Sequence, residues 1–188
     1  MSLILASASP RRRELLARFG VPFATDPAGG PEVPPAGADA RETVAALSAG
    51  KASLCAARHP GDLIIGADTV VELGGTILGK PRDEEDAFSM LRALSGNMHR
   101  VWTGVTLARD SELITGVEMT SVFFRPLSDR EIRAYIASGE PMDKAGAYGI
   151  QGLASLFVER IDGDYFNVVG LPLCRLGQML ETMGVTLL

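Results

Sequence analysis

Three consecutive arginines, Arg11-Arg12-Arg13, follow the stretch Ser7-Ala8-Ser9-Pro10 near the start of the chain. Ser9 is a suitable helix N-cap and Pro10 suits a first helical position, so the arginines fall in the opening turn of a predicted helix. The positive end of the helix dipole disfavours each cation there by about 0.3–1 kcal/mol. Folding alone would favour Asp or Glu in that turn. Guanidinium groups beside two serine hydroxyls and the unpaired N–H groups of a helix start form a cradle for a polyanion. The plainer alternative is a solvated basic turn.

Asp68 follows the apolar run Leu63-Ile64-Ile65-Gly66-Ala67, which places a carboxylate at the expected end of a buried strand. In open α/β sheets ligands bind beyond the carboxyl ends of strands, and a carboxylate there can ligate a hard cation or accept a proton from water. Thr69 points to the opposite face in regular strand geometry. Lys51 shares a helical stripe with Leu47 and Leu54, so its ammonium either snorkels to water or points inward toward phosphate. Gly74 to Pro81 reads G-x-x-x-x-G-K-P; Pro81 lacks the hydroxyl that a P-loop requires for magnesium, and the stretch is a hairpin, so no P-loop is present. Lys80 can still reach phosphates from a loop. Gln151 lies in the small-residue run Asp143 to Gly152 and offers both a donor and an acceptor, which suits a base edge.

The elements that must position these groups alternate between strand and helix. A short strand from Leu3 to Ala6 precedes the arginine helix, whose stripe is Leu15, Leu16 and Phe19 and which ends at Gly20. Residues 26 to 38 are rich in Pro and Gly, a loop with Glu32 in its middle. Asp39 and Glu42 form a capping box for a helix with Val44, Leu47, Leu54 and Cys55 on its apolar face. Val70 to Leu73 and Thr76 to Leu78 flank a Gly74-Gly75 hairpin turn, and a helix capped near Asp83 carries Ala87, Met90, Leu91 and Leu94. Strands over 100–108 and 113–124 follow. Ser128 and Glu131 cap the next helix, with Leu127 and Ile132 as its staple. Two strands around Asp162-Gly163 and a final helix with Leu173, Leu176, Leu180 and Met183 complete an α/β pattern.

The 188 residues contain no internal repeat or composition shift, so residues 1–188 read as one domain. The net charge of −5 excludes broad binding to nucleic-acid polymers, so phosphate chemistry must rely on local positive charge. Two cysteines and two histidines suffice neither for a disulfide framework nor for a zinc-type Cys/His cluster. The N-terminus lacks the apolar core of a signal peptide, and no run approaches the roughly 18 apolar residues of a membrane span. A cytoplasmic protein without membrane attachment is expected.

Taken together, Ser7-Ala8-Ser9-Pro10-Arg11-Arg12, Lys51-Ala52, Gly66-Ala67-Asp68-Thr69-Val70, Gly79-Lys80-Pro81-Arg82-Asp83, Leu94-Ser95-Gly96, Asp143 to Gly152 and Asn167 to Pro172 closely resemble the Maf family. The blocks keep the family's order over nearly the whole chain. The resemblance implies a Maf/ITPase-like α/β fold, with an elongated mixed sheet flanked by helices and two lobes around a deep cleft. It implies a nucleotide pyrophosphatase that needs a divalent cation, Mg²⁺ or Mn²⁺, and that is often a homodimer. By the same resemblance Asp68 is the catalytic carboxylate, and Arg11, Thr69 and Gln151 select the substrate. Ser7, Arg11, Arg12, Lys51 and Lys80 would hold phosphates, and Glu32 and Asp68 the metal. Whether Asp68 is base or ligand stays open. Relatives preferring 7-methyl-GTP tend to carry an aromatic residue at Arg11, Gln at Thr69 and Glu at Gln151, so this chain resembles the branch acting on dTTP and UTP, or on modified pyrimidine nucleotides. The alternatives are a noncatalytic nucleotide sensor regulating division, a 7-methyl-GTP pyrophosphatase and a pyrophosphatase for modified purines. One departure is Pro31-Glu32, where the family often has two acidic residues.

Overall fold

A computed structural model of the chain describes residues 1–30 and 32–187; Pro31, and with it half of the Pro31-Glu32 pair, lies outside the described residues, as does Leu188. The chain runs β1 (Leu3–Leu5), α1 (Pro10–Ala17), β2 (Ala24–Thr25), α2 (Ala40–Ala56), β3 (Leu63–Leu73) and β4 (Thr76–Leu78). It continues through α3 (Glu84–Leu94), β5 (Met98–Arg109), β6 (Glu112–Phe124), α4 (Asp129–Ala137), β7 (Val158–Asp162), α5 (Tyr165–Val169) and α6 (Leu173–Thr182). Among the described residues the strands form one seven-stranded sheet, in the order β2-β1-β3-β5-β6-β7, with β4 paired to β3. β1 runs parallel to β2 and β3, whereas β3/β4 and β6/β7 are antiparallel. The fold is therefore α/β with a mixed sheet.

Helix starts follow the sequence signals. Ser9 accepts from the Arg12 amide, and both capping boxes, Asp39/Glu42 and Ser128/Glu131, are complete. Each such cap stabilises its helix by about 1 kcal/mol.

The chain divides into two compact units. The first comprises 1–69, 103–118 and 170–188. Part of its core is Ile4, Ala6, Ala52, Cys55, Ile64 and Ala108. Helix α2 sits on the strand backbone itself, because two strand positions carry no side chain. A Cβ at Gly66 would overlap Ser48 O and come 2.7 Å from Ala52 N, and one at Gly104 would overlap Val44 O and come 2.9 Å from Ser48 Oγ. This close seat rotates the expected stripe of α2. Its buried face is Ala40, Thr43, Val44, Ser48, Ala52 and Cys55, and Leu54 is 49% exposed. Small residues face the sheet because nothing larger fits at that separation.

The second unit comprises 70–102 and 119–169. Its core joins Leu91 and Leu94 of α3, Ile132, Tyr135 and Ile136 of α4, and Val101, Val122, Phe124, Tyr148 and Phe157. Each fully buried aliphatic side chain contributes roughly 1.5–3 kcal/mol. His99 is buried among them, its Nε2 2.8 Å from Tyr148 Oη and its ring edge-on to Phe124.

Two further expectations are corrected. β3 does not end at Asp68 but runs on to Leu73, because the apolar pattern resumes at Val70. After Gly163 the chain forms the short helix α5 instead of a second strand. Asp164 starts that turn by accepting from the Phe166 amide, and buried Asn167 donates to Val101 O and Thr120 Oγ1.

Candidate active site

The first unit gathers most of the expected site residues. Asp68, in the middle of β3, is 7% exposed, and its Oδ1 lies 2.5 Å from Lys51 Nζ. The same ammonium lies 2.9 Å from Glu32 Oε1. Lys51 therefore points inward, not along the surface, and bridges two carboxylates. The seat described above makes this reach attainable, since α2 lies directly over the strand that carries Asp68.

Arg12, in the first turn of α1, donates from Nε to Gly170 O at 2.8 Å, from Nη1 to Ala67 O at 2.9 Å and from Nη2 to Thr69 Oγ1 at 2.9 Å. Ser7 Oγ is 3.5 Å from Nη1 and accepts the Ser9 amide at 3.2 Å. Thr69 Oγ1 is also 2.9 Å from Thr103 Oγ1. Loss of solvent lowers the Arg12 pKa, while the fields of Asp68 and Glu32 raise it. The result is a positive charge with its orientation fixed on three sides by protein oxygens. Gly170, at φ +121, brings its carbonyl to this guanidinium in a conformation that side-chain-bearing residues rarely adopt.

Ser7, Arg12, Glu32, Lys51, Asp68 and Thr69 are thus brought together. Arg11 is half-buried on α1, one residue before Arg12. Lys80 and Gln151 belong to the second unit, both exposed, Lys80 after β4 and Gln151 in the loop between Gly149 and Gly152. Sequence reasoning missed Thr103 and Gly170 as partners of Thr69 and Arg12. Gly170 stood out only as part of the Asn167 to Pro172 block and Thr103 not at all, since each acts through residues far away in the chain.

It also missed a second cluster. Among the described residues, Asp26, Cys55 and His59 form one group able to hold a metal ion, with one ligand atom from each within 4.8 Å of the others. One Cys and one His with an Asp are not the zinc-type Cys/His cluster that the cysteine and histidine count excludes, but Cys55 and His59 are four residues apart across the end of α2, a spacing that was legible. In this structure Asp26 Oδ2 is bound by His59 Nε2 at 2.7 Å and by Arg58 Nε and Nη2 at 3.1 and 2.9 Å. The bonds from His59 and then Arg58 hold its carboxyl below the ordinary carboxylate range. Arg58 also donates to Pro27 O and Ala28 O. The cluster therefore clasps the start of the loop that carries Glu32 to the end of α2.

No helix among the described residues is long and apolar enough to cross a membrane. Comparison with known proteins matches residues 2–183 to the family described as Maf-like protein. A Koribacter versatilis protein named dTTP/UTP pyrophosphatase is 51% identical over 98% of this chain and 96% of its own length. Proteins of the same name from Pelotomaculum thermopropionicum and Geobacter metallireducens are 48% and 52% identical, covering 99% and 97% of this chain and 98% and 96% of their own lengths. Among solved structures, the Staphylococcus aureus Ham1 protein aligns with a TM-score of 0.47 and 14% identity, over 66% of this chain and 72% of its own. The family match spans every residue named at the site, and the chain belongs to the Maf-like protein family.

Proposed function

We propose that the chain is a nucleoside triphosphate pyrophosphatase that hydrolyses dTTP and UTP to the monophosphate and pyrophosphate. The observation that carries the reading is the ammonium of Lys51 held between Asp68 and Glu32, beside the fixed guanidinium of Arg12. Relatives at about half identity bear the name of that activity.

The residues divide the work by their chemistry. Ser7, Arg11, Arg12, Lys51 and Lys80 receive the triphosphate, with Arg12 supplying a charge that needs no reorganisation when phosphate arrives. Lys51 occupies Asp68 Oδ1, which leaves Oδ2 to accept a proton from the attacking water. The water oxygen bonds to the α-phosphorus, the bond from that phosphorus to the bridging oxygen breaks, and pyrophosphate leaves with the electron pair. Glu32 and the lone pairs of Asp68 not engaged by Lys51 or the water proton are hard oxygen donors that would suit Mg²⁺ or Mn²⁺, and such a cation would offset the triphosphate charge. Thr69 holds Arg12 in place through its hydroxyl and, with Arg11 and Gln151, selects the substrate.

Gln151 reads the base. Thymine and uracil share an acceptor, N–H, acceptor edge that an amide held in one orientation complements, whereas cytosine replaces one acceptor by an amino donor and the N–H by an acceptor. Leaving that mismatch buried costs roughly 1–3 kcal/mol, or about 5- to 150-fold in kcat/KM. We further propose that residues 1–188 act as one functional domain, as a homodimer in a reducing cytoplasm, which suits the free cysteines Cys55 and Cys174.

The test is pyrophosphate release from dTTP, UTP, CTP, purine triphosphates and 7-methyl-GTP, with and without excess EDTA. Preferred cleavage of dTTP and UTP, abolished by chelator, is expected. Preference for 7-methyl-GTP, full turnover in EDTA, or nucleotide binding without turnover would each overturn the reading.

A further inference from the structure

Gln151 is exposed and lies between two glycines, a setting that by itself leaves its amide free to take many orientations. The backbone on either side of it is nevertheless tied to one pair of side chains. Two residues before it, the Gly149 amide donates to Tyr135 Oη at 3.1 Å. Two residues after it, the Leu153 amide donates to Glu140 Oε2 at 3.0 Å. The pair is itself linked, because Tyr135 Oη donates to Glu140 Oε1 at 2.9 Å.

Each member is anchored. Tyr135 is buried on α4, edge-on to Phe157 at 5.2 Å. Burial first, and Glu140 with it, pushes the Tyr135 phenol far up, so its proton stays in place for donation. The Glu140 carbonyl accepts Lys144 Nζ at 2.7 Å. The glycines belong to the same device. A Cβ at Gly152 would overlap the Glu140 carboxylate, and one at Gly149 would come 2.6 Å from Lys144 Cε. At Gly149 the flexible end of Lys144 can move aside, whereas at Gly152 a side chain would displace the clamping carboxylate itself, so Gly152 is the glycine that lets the loop close onto Glu140.

We infer that Tyr135 and Glu140 are positioning residues for base recognition, fixing the segment 149–153 so that the Gln151 amide meets a pyrimidine edge in one orientation. The inference rests on the reading of Gln151 given above. Paired hydrogen bonds between an amide and a base edge require both atoms to be placed together, so discrimination depends on the backbone that carries the amide as much as on the amide itself. A carboxylate suits this role because both oxygens face donors. An amide at position 140 would turn its NH₂ toward either the Tyr135 hydroxyl or the Leu153 N–H.

The experiment measures kcat and KM for dTTP and CTP in wild type, Tyr135→Phe, Glu140→Gln, Gln151→Ala and the double variant Tyr135→Phe/Gln151→Ala. The dTTP-to-CTP ratio of kcat/KM should fall by about tenfold in Tyr135→Phe and in Glu140→Gln, mostly through KM for dTTP, as expected for one mispaired polar group. The double variant should discriminate no worse than Gln151→Ala alone, because the clamp acts only through that amide. Glu140 is partly exposed, so Glu140→Gln supplies the answer if Tyr135→Phe fails to fold. Folded variants that keep the wild-type ratio, or an additive double variant, overturn the inference while leaving the reading of Gln151 intact. An unchanged ratio in Gln151→Ala overturns both.

Discussion

Replacing Lys51 by Met removes one ammonium, keeps most of the stem and leaves two carboxylates facing each other. Asp68 and Lys51 have side chains 10% and 16% exposed, whereas that of Glu32 is 61% exposed. Breaking a buried pair by deleting one partner costs roughly 3–5 kcal/mol, whereas an exposed pair is worth about 0–1 kcal/mol. Partial exposure puts the Asp68 contact at the low end of the first range, and the Glu32 contact adds little. A loss of about 3 kcal/mol follows, which for a domain of this size lowers Tm by roughly 6–12 °C. The same change vacates two carboxylates for a divalent cation. Binding at a hundred times Kd restores about 2.7 kcal/mol, so Mg²⁺ or Mn²⁺ should raise the Tm of Lys51→Met by more than that of wild type. Thermal melts with and without cation, at matched ionic strength, read both effects. A variant melting with wild type, or one that gains no more from cation than wild type does, would refute the picture of an ammonium holding Asp68 and Glu32 together.

Asp68→Asn keeps the shape but removes charge and basicity; kcat should fall by at least about a hundredfold with circular dichroism unchanged, and near-normal turnover would move the chemistry elsewhere. Gly66→Ala forces a methyl group against Ser48 O and Ala52 in α2. A loss of about 1–3 kcal/mol in urea unfolding is expected, together with reduced activity as Lys51 is lifted from Asp68, and full stability would contradict the close seat. His99 has its pKa pushed down from 6.5 to about 4 by burial. The unfolded chain then binds the extra proton across that window, so this contribution to stability is complete above pH 6.5 and declines toward pH 4, by roughly 3 kcal/mol in all. Measured by urea unfolding, the stability of wild type relative to His99→Gln should fall by roughly 3 kcal/mol as pH is lowered from 6.5 to 4, whatever their difference above that window; parallel profiles would exclude His99 as the source.

The sequence was most legible where the signal is local. Capping boxes at Asp39 and Ser128 and the Ser9-Pro10 start place helices α1, α2 and α4, because each pairs a side chain with a backbone group three residues away. Legibility fails where a distant partner decides. The face of α2 looked like Leu47 and Leu54, but the bare backbone at Gly66 and Gly104 admits only Ser48 and Ala52. A strand was expected after Gly163, yet Asn167 is buried against Val101 and Thr120, and those bonds favour a helical turn. At the site, the direction of Lys51 was undecidable from its stripe, because inward and outward orientations differ only in whether a carboxylate waits at the other end. The Tyr135–Glu140 pair gave no signal, since neither residue departs from ordinary helix and helix-end composition.

The guanidinium of Arg12 joins stretches that are far apart along the chain: its bonds reach 55 residues to Ala67, 57 to Thr69 and 158 to Gly170. Closing such loops has an entropic cost that is offset only when the packing around them is complete. On the ribosome, where chains emerge at about 5–20 residues per second, Gly170 appears roughly 8–30 s after Arg12. Until then the guanidinium has its partners at Ala67 and Thr69 but lacks the Nε bond to Gly170 that fixes its third side. A truncated or half-made chain therefore carries the basic residues without the complete geometry, and the triphosphate cradle assembles only once the carbonyl that locks it has been synthesised.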